Sequence, residues 1–198
     1  MSELTLTELE TRYHDYFSVE HCININIKPL PGTLPDLAQL DEHIPEAFLL
    51  SSQSSELNMS ALRSLNRLGE LAEELANYLK QQAKKMDLLL QYVLRQQDIA
   101  EQRFYSLSYG GSGCSYQADA PLQPLQPVEI RLFLPNNEGA IFCFGQVVSC
   151  QKQANNWQIN VVFTRIREQD RELIVRASLH QQSKLLKQQA QQRQQTSS

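Results

Sequence analysis

No stretch of this chain approaches the ~20 consecutive apolar residues of a membrane span. Met1–Thr11 has neither the basic start nor the apolar core of a secretion signal. The four cysteines, Cys22, Cys114, Cys143 and Cys150, form no CxxC pair and no metal-ligand spacing. That excludes a zinc module and predicts reduced thiols in a cytoplasmic protein. Positive charge is not in excess: the net charge is −4, so the electrostatic footprint of a nucleic-acid polymer is missing. The histidines, at 14, 21, 43 and 180, stand beside no candidate nucleophile, so no Ser/His/Asp set can be drawn. Gly110-Gly111-Ser112-Gly113 matches neither GxSxG, nor GxGxxG, nor a P-loop. These absences predict a protein that is not an enzyme and carries no metal or resident cofactor.

What is present is organised around Ser60–Arg95. With Leu65 at heptad position a, the a and d sites read Leu65, Leu68, Ala72, Leu75, Leu79, Gln82, Met86, Leu89 and Val93. Gln82 is the polar interruption, and no proline breaks the run. The flanking e and g sites, where a two-stranded zipper carries charge, hold Leu71, Ala76, Tyr78, Ala83, Leu90 and Tyr92, with Gly69 and Lys85 as the exceptions. So wide a stripe calls for burial against more than one helix, and it predicts an oligomerisation interface. Packing within a single chain is the competing use of the same face.

Around this helix the pattern varies. Thr7-Glu8-Leu9-Glu10 reads as a capping box opening a short helix, with Leu6, Leu9, Tyr13, Tyr16 and Phe17 on one face. Ile23, Ile25 and Ile27 alternate with polar residues and predict a strand, ended by Pro29 and Pro31. Residues 36–50 form a connector, and serines at 51–55 supply caps for the long helix. From Arg103 the period becomes two. Strands are expected at Arg103–Ser108, Val128–Leu134, Ala140–Gln151 and Trp157–Phe163, with turns at Asn155-Asn156 and Pro135–Gly139. A last helix follows Thr164, Glu168, Asp170 and Glu172 forming its solvated start, and ends in a fraying glutamine-rich tail.

The order Arg103-Phe-Tyr-Ser106-Leu-Ser108-Tyr-Gly110-Gly111, a proline connector, Val128–Pro135, Gly145-Gln-Val147, Trp157–Phe163 and Arg167–Leu173 resembles a PilZ domain. With the heptad helix, it resembles the atypical, tetrameric members of that family. The resemblance implies an α+β fold: a small antiparallel β-barrel with a long coiled-coil helix and a C-terminal helix. Residues 1–35 would supply the first helix and strand of the barrel domain, and 36–99 an inserted oligomerisation arm. Residues 100–190 would form the rest of the barrel with its closing helix, and 191–198 a disordered tail. The resemblance further implies cyclic di-GMP as a possible ligand, at a degenerate [D/N]xSxxG motif: Ser106, Ser108 and Gly111, with Arg103 beside it. The family's RxxxR motif has no counterpart here; Lys80 and Lys84 keep its spacing without a guanidinium plane. The implied function is a non-enzymatic adaptor of a bacterial cyclic di-GMP pathway, binding nucleotide weakly or not at all. It would assemble as a homotetramer through parallel helices and meet another signalling protein. A true receptor with an altered site and a ligand-free scaffold are the alternatives.

Overall fold

The computed structural model describes residues 5–51 and 70–196. Leu65 and Leu68 lie outside the described residues, as do serines 52, 54 and 55 and the side chain of Ala72. Among the described residues there are seven strands: β1 (Ser18–Glu20), β2 (Asn24–Pro29), β3 (Arg103–Gly110), β4 (Gly113–Ala118), β5 (Pro127–Phe133), β6 (Ala140–Gln153) and β7 (Asn156–Arg165). Every pairing is antiparallel. The order β3-β2-β5-β6-β7-β4 returns to β3 and closes a six-stranded barrel. The fold is α+β, and the barrel is completed by a strand that precedes the heptad helix.

Alternation places the core. Ile25, Ile27, Val128, Ile130, Leu132, Ile159 and Val161 all point into the barrel and are buried. β4 was not anticipated. It is short and opens on glycine, but Cys114, Tyr116 and Ala118 follow the same period and turn inward. Burial pushes the Cys114 thiol up to about 12. The β6–β7 turn also differs from expectation. The register pairs Gln153 with Asn156, so Ala154, not an asparagine, takes positive φ (50°). The second turn fits its sequence, with Asn136, Asn137 and Gly139 all at positive φ.

Among the described residues, the helices laid on this barrel are α1 (Leu6–Tyr13), α2 (Leu40–His43), α3 (Glu70–Gln96) and α4 (Glu168–Thr196), with a further helical run at 46–51. The capping box of α1 is built by Thr5 and Glu8, one T-x-x-E register before the expected one, and the helix ends before Tyr16. Leu9 docks it against Val148 and Val162. Ser51 lies in the helical run at 46–51, and its hydroxyl accepts from the Ala140 backbone N–H at 2.8 Å. Asp170 is not solvated but fully buried, held by Arg167 through two bonds of 2.7 and 2.9 Å. Within 191–198, where a disordered tail was expected, α4 continues to Thr196. Glutamine is a good helix former, and neither glycine nor proline intervenes.

The outer wall of β6 carries Ala140, Phe142 and Phe144. Leu40, Ile44 and Phe48 cover it, and so do Leu90 and Leu94 from the end of α3. Directly after α3 a polar joint fixes the chain to the barrel. The Asp98 carboxylate accepts from Asn24 (2.6 Å), Asn26 (2.9 Å) and Arg103 (2.9 Å), while Arg131 donates to the Gln97 carbonyl at 3.1 Å. Partial burial alone would raise the Asp98 carboxyl, but the bonds from Arg103, Asn26 and Asn24 outweigh it and hold it below the usual range. Its stabilising contribution is therefore complete above about pH 4 and lost as pH falls through the lowered folded value. At pH 7 Asp98→Asn should cost about 2 kcal/mol in thermal denaturation. The gap from wild type should close as the pH drops below about 4. A gap that persisted unchanged to pH ~2 would remove the carboxylate from this role.

Candidate functional site

β3 carries the residues of interest, and its geometry is set by an interruption next door. β1 and β2 pair with the same edge of β3, at Ser18↔Gly110 and Asn24↔Tyr105, leaving a gap at 21–23. Ser106 bridges it. Its hydroxyl donates to the His21 carbonyl at 2.8 Å and accepts from the Ile23 N–H at 3.0 Å, while its own N–H donates to the Ile23 carbonyl. Ser106 is only 3% exposed. On the other edge the β3–β4 register slips between Ser106 and Ser108, a bulge that sends Tyr109 inward and Ser108 outward. Ser108 then meets the Ser115 hydroxyl at 2.9 Å.

The turn that follows is covered. A Cβ on Gly110 would strike the Phe17 carbonyl, and one on Gly111 would lie 2.8 Å from the Tyr16 ring and 2.7 Å from Val175. Gly113 is overlaid by Tyr13 in the same way. Tyr16 donates its N–H to the Ser112 hydroxyl at 3.2 Å, and the Arg171 guanidinium stacks 5.4 Å above the Tyr16 ring and donates to the Gly111 carbonyl. Burial pushes the Tyr13 phenol up to about 12, against the pull of Ser108 and Ser115. Only glycine lets the segment 13–17 lie this close to the turn.

Ser106, Ser108 and Gly111 are thus brought together along one strand end, each engaged within the chain. Arg103 stands at the opposite end of β3, bound to Asp98 at 2.9 Å. Arg165 donates to the Pro35 and Thr164 carbonyls, and Arg167 belongs to Asp170. Sequence reasoning passed over Arg12. It lies in the last turn of α1 and lines a recess of about 330 Å³ with Asp15, Tyr16, Ser112 and Arg171. The missed signal was positional. The barrel begins with β1 and β2, so the region upstream of it is α1, not α3.

The heptad positions divide in a way the sequence did not specify. Ala76, Leu90 and Leu94, on one flank of the stripe, are covered by the chain itself, while Gln82 is half-buried. Leu75, Leu79, Met86, Leu89 and Val93 remain exposed, from 40% at Leu79 to 68% at Met86, with Tyr78 and Tyr92 beside them. Among the described residues no helix is long and apolar enough to cross a membrane.

Ser106→Ala should cost about 1–3 kcal/mol in chemical denaturation, because the Ile23 N–H loses its buried acceptor. Ser106→Asp restores the acidic residue of the family motif, yet it should cost more, since it places a charge in a buried gap. Equal stability of Ser106→Asp and wild type would place Ser106 on the surface instead.

A PilZ domain family model matches residues 80–180, just over half of the chain, and takes in five of the six barrel strands. The protein is similar to a tetrameric PilZ-domain protein from Xanthomonas campestris, self-assembled through a helical bundle. The TM-score is 0.58 at 12% identity, over 87% of this chain and 92% of the other. It is also similar to an inhibitor of motility from Bacillus subtilis (TM-score 0.47, 8% identity, 86% of this chain and 52% of the other). A third likeness is to the PilZ domain of Escherichia coli YcgR with c-di-GMP (TM-score 0.38, 12% identity, 46% of this chain and 82% of the other). A search of curated proteins finds no match. With that model matching more than half of its residues, the chain belongs to the PilZ domain family.

Proposed function

We propose that this chain is a non-enzymatic adaptor of a cyclic di-GMP signalling pathway in the cytoplasm. Its copies assemble through α3, and nucleotide binds weakly or not at all at the family's usual position. The observation that carries the reading is the covered turn. The Ser106 hydroxyl is spent across the β1–β2 gap, and the 13–17 segment lies on Gly110–Gly113. A nucleotide would have to displace Tyr16 and break its cation–π contact with Arg171 before reaching the turn.

The exposed a, d and g residues of α3 support the assembly. A 27-residue helix is about 40 Å long, and five large a and d side chains left wet along it forgo roughly 1.5–3 kcal/mol each. Further copies of this chain are the fitting occupant, as in the helical bundle of the Xanthomonas protein. A parallel four-helix arrangement would bury Gln82 at one polar layer. One observation favours the receptor reading: Arg12 and Arg171 flank Ser112 in a single recess, two guanidiniums where an anion would be held.

Calorimetric titration with cyclic di-GMP decides the nucleotide question. No saturable heat is expected up to about 100 μM ligand, the upper side of ordinary signalling affinities. Sub-micromolar binding, abolished by Arg12→Ala, would establish the receptor instead. For the assembly, the double variant Leu75→Asp/Leu79→Asp should become a monomer by light scattering. It should keep the wild-type barrel melting transition, because both side chains are exposed in the single chain. A wild type that is monomeric at tens of micromolar would end the proposal.

A further inference from the structure

At the end of the barrel away from the glycine turn, the last residues of β2, the first of β3 and the end of β4 surround an open hollow of about 420 Å³. We propose that this barrel mouth is a receptor for an arginine side chain presented by a partner protein. The reading names the chemistry of the adaptor's partner, and so rests on the adaptor proposal, but it makes no use of the nucleotide surface.

The floor is apolar and aromatic. Ile27, Ala118 and Leu122 line it with Phe104 and Tyr116, whose rings are 5.0 Å apart and tilted by 51°. The rim is charged, with Glu101, Asp119 and Arg103 standing around the opening. Arg103 brings little free positive charge, because Asp98 already holds it through an ion pair of 2.9 Å. With Asp98, outside the hollow, matching the Arg103 charge, the two rim carboxylates Glu101 and Asp119 leave the opening negative over an apolar floor.

That combination selects a cation on an apolar stem. An anion meets repulsion at the rim, and an uncharged ligand leaves the rim carboxylates partly desolvated without a partner. An arginine satisfies both parts. Its methylenes cover Leu122 and Ile27, its guanidinium lies against the Phe104 ring, and its N–H groups reach Glu101 and Asp119. A volume of this size suits one such side chain with part of its backbone. Barrel mouths are also among the usual places for recognition.

The test is nuclear magnetic resonance on the full chain, titrated with acetyl-Gly-Arg-Gly-amide and with the same peptide carrying citrulline, the uncharged isostere. The arginine peptide should shift the amides of Phe104, Ala118, Asp119 and Leu122 and saturate below about 10 mM. Citrulline should bind about tenfold more weakly. In Glu101→Gln/Asp119→Asn the arginine affinity should fall about five- to tenfold while the melting transition stays put, since both side chains are exposed. Absence of saturable shifts at this end overturns the proposal, as does equal binding of the citrulline peptide. Tighter saturation of the same amides by indole would assign the hollow to an apolar ligand. Loss of arginine binding in the rim variant, with unchanged cyclic di-GMP behaviour, separates this site from the nucleotide surface.

Discussion

Six residues, Asn24–Pro29, hold the barrel shut. They pair with β3 on one edge and with β5 on the other, and without them the sheet would present two long unpaired edges. The chain leaves the barrel after this strand, makes the α3 arm, and returns at Arg103 beside the residues it left. Asp98 ties the return to Asn24 and Asn26 of that same strand, so closure of the barrel and direction of the arm are fixed at one place. Leu90 and Leu94, packed on the Phe142 and Phe144 wall, complete the attachment on its apolar side.

The same economy of contacts explains the glycine turn. A strand interrupted at 21–23 needs a polar bridge, and Ser106 is the residue in register to supply it. The bulge that follows brings Ser108 to the surface, where Ser115 and Tyr13 meet it. Residues that resemble a ligand motif in sequence are thereby drawn into holding the first strand and the first helix against the barrel. The two ends of β3 differ in consequence: one is overlaid by the chain's own aromatic segment, and the other opens as a hollow.

Much of this was legible in the residues. β5, β6 and β7 show alternation long enough to place them within a few positions, and the break from a 3.6 to a 2.0 period marks the end of the arm. β4 escaped because six residues opening on Gly113 give too short a pattern to stand out between a glycine turn and a proline connector. The heptad positions identified the apolar stripe, but not which flank turns inward. That depends on Phe142 and Phe144, outward residues of a strand far along the chain. Asp170 looked solvated although its partner Arg167 stands only three residues before it, because the packing that buries the pair belongs to the tertiary structure. Arg12 was passed over for a topological reason: an insertion hides where a barrel begins.

The pairing of β2 with β5 joins Asn26 to Arg131, about a hundred residues apart in the chain. As the protein is synthesised, β2 emerges early, has no neighbour until β3 has left the ribosome, and keeps its other edge open until β5 follows. Closing a loop of that length carries an entropic cost that only the finished sheet offsets, so barrel formation is a late and slow event. The α3 helix, whose contacts are local, forms well before it. If copies assemble through α3 as proposed, nascent chains would meet through their arms while their barrels are still open, and the order of assembly and folding would be set by where one short strand was placed.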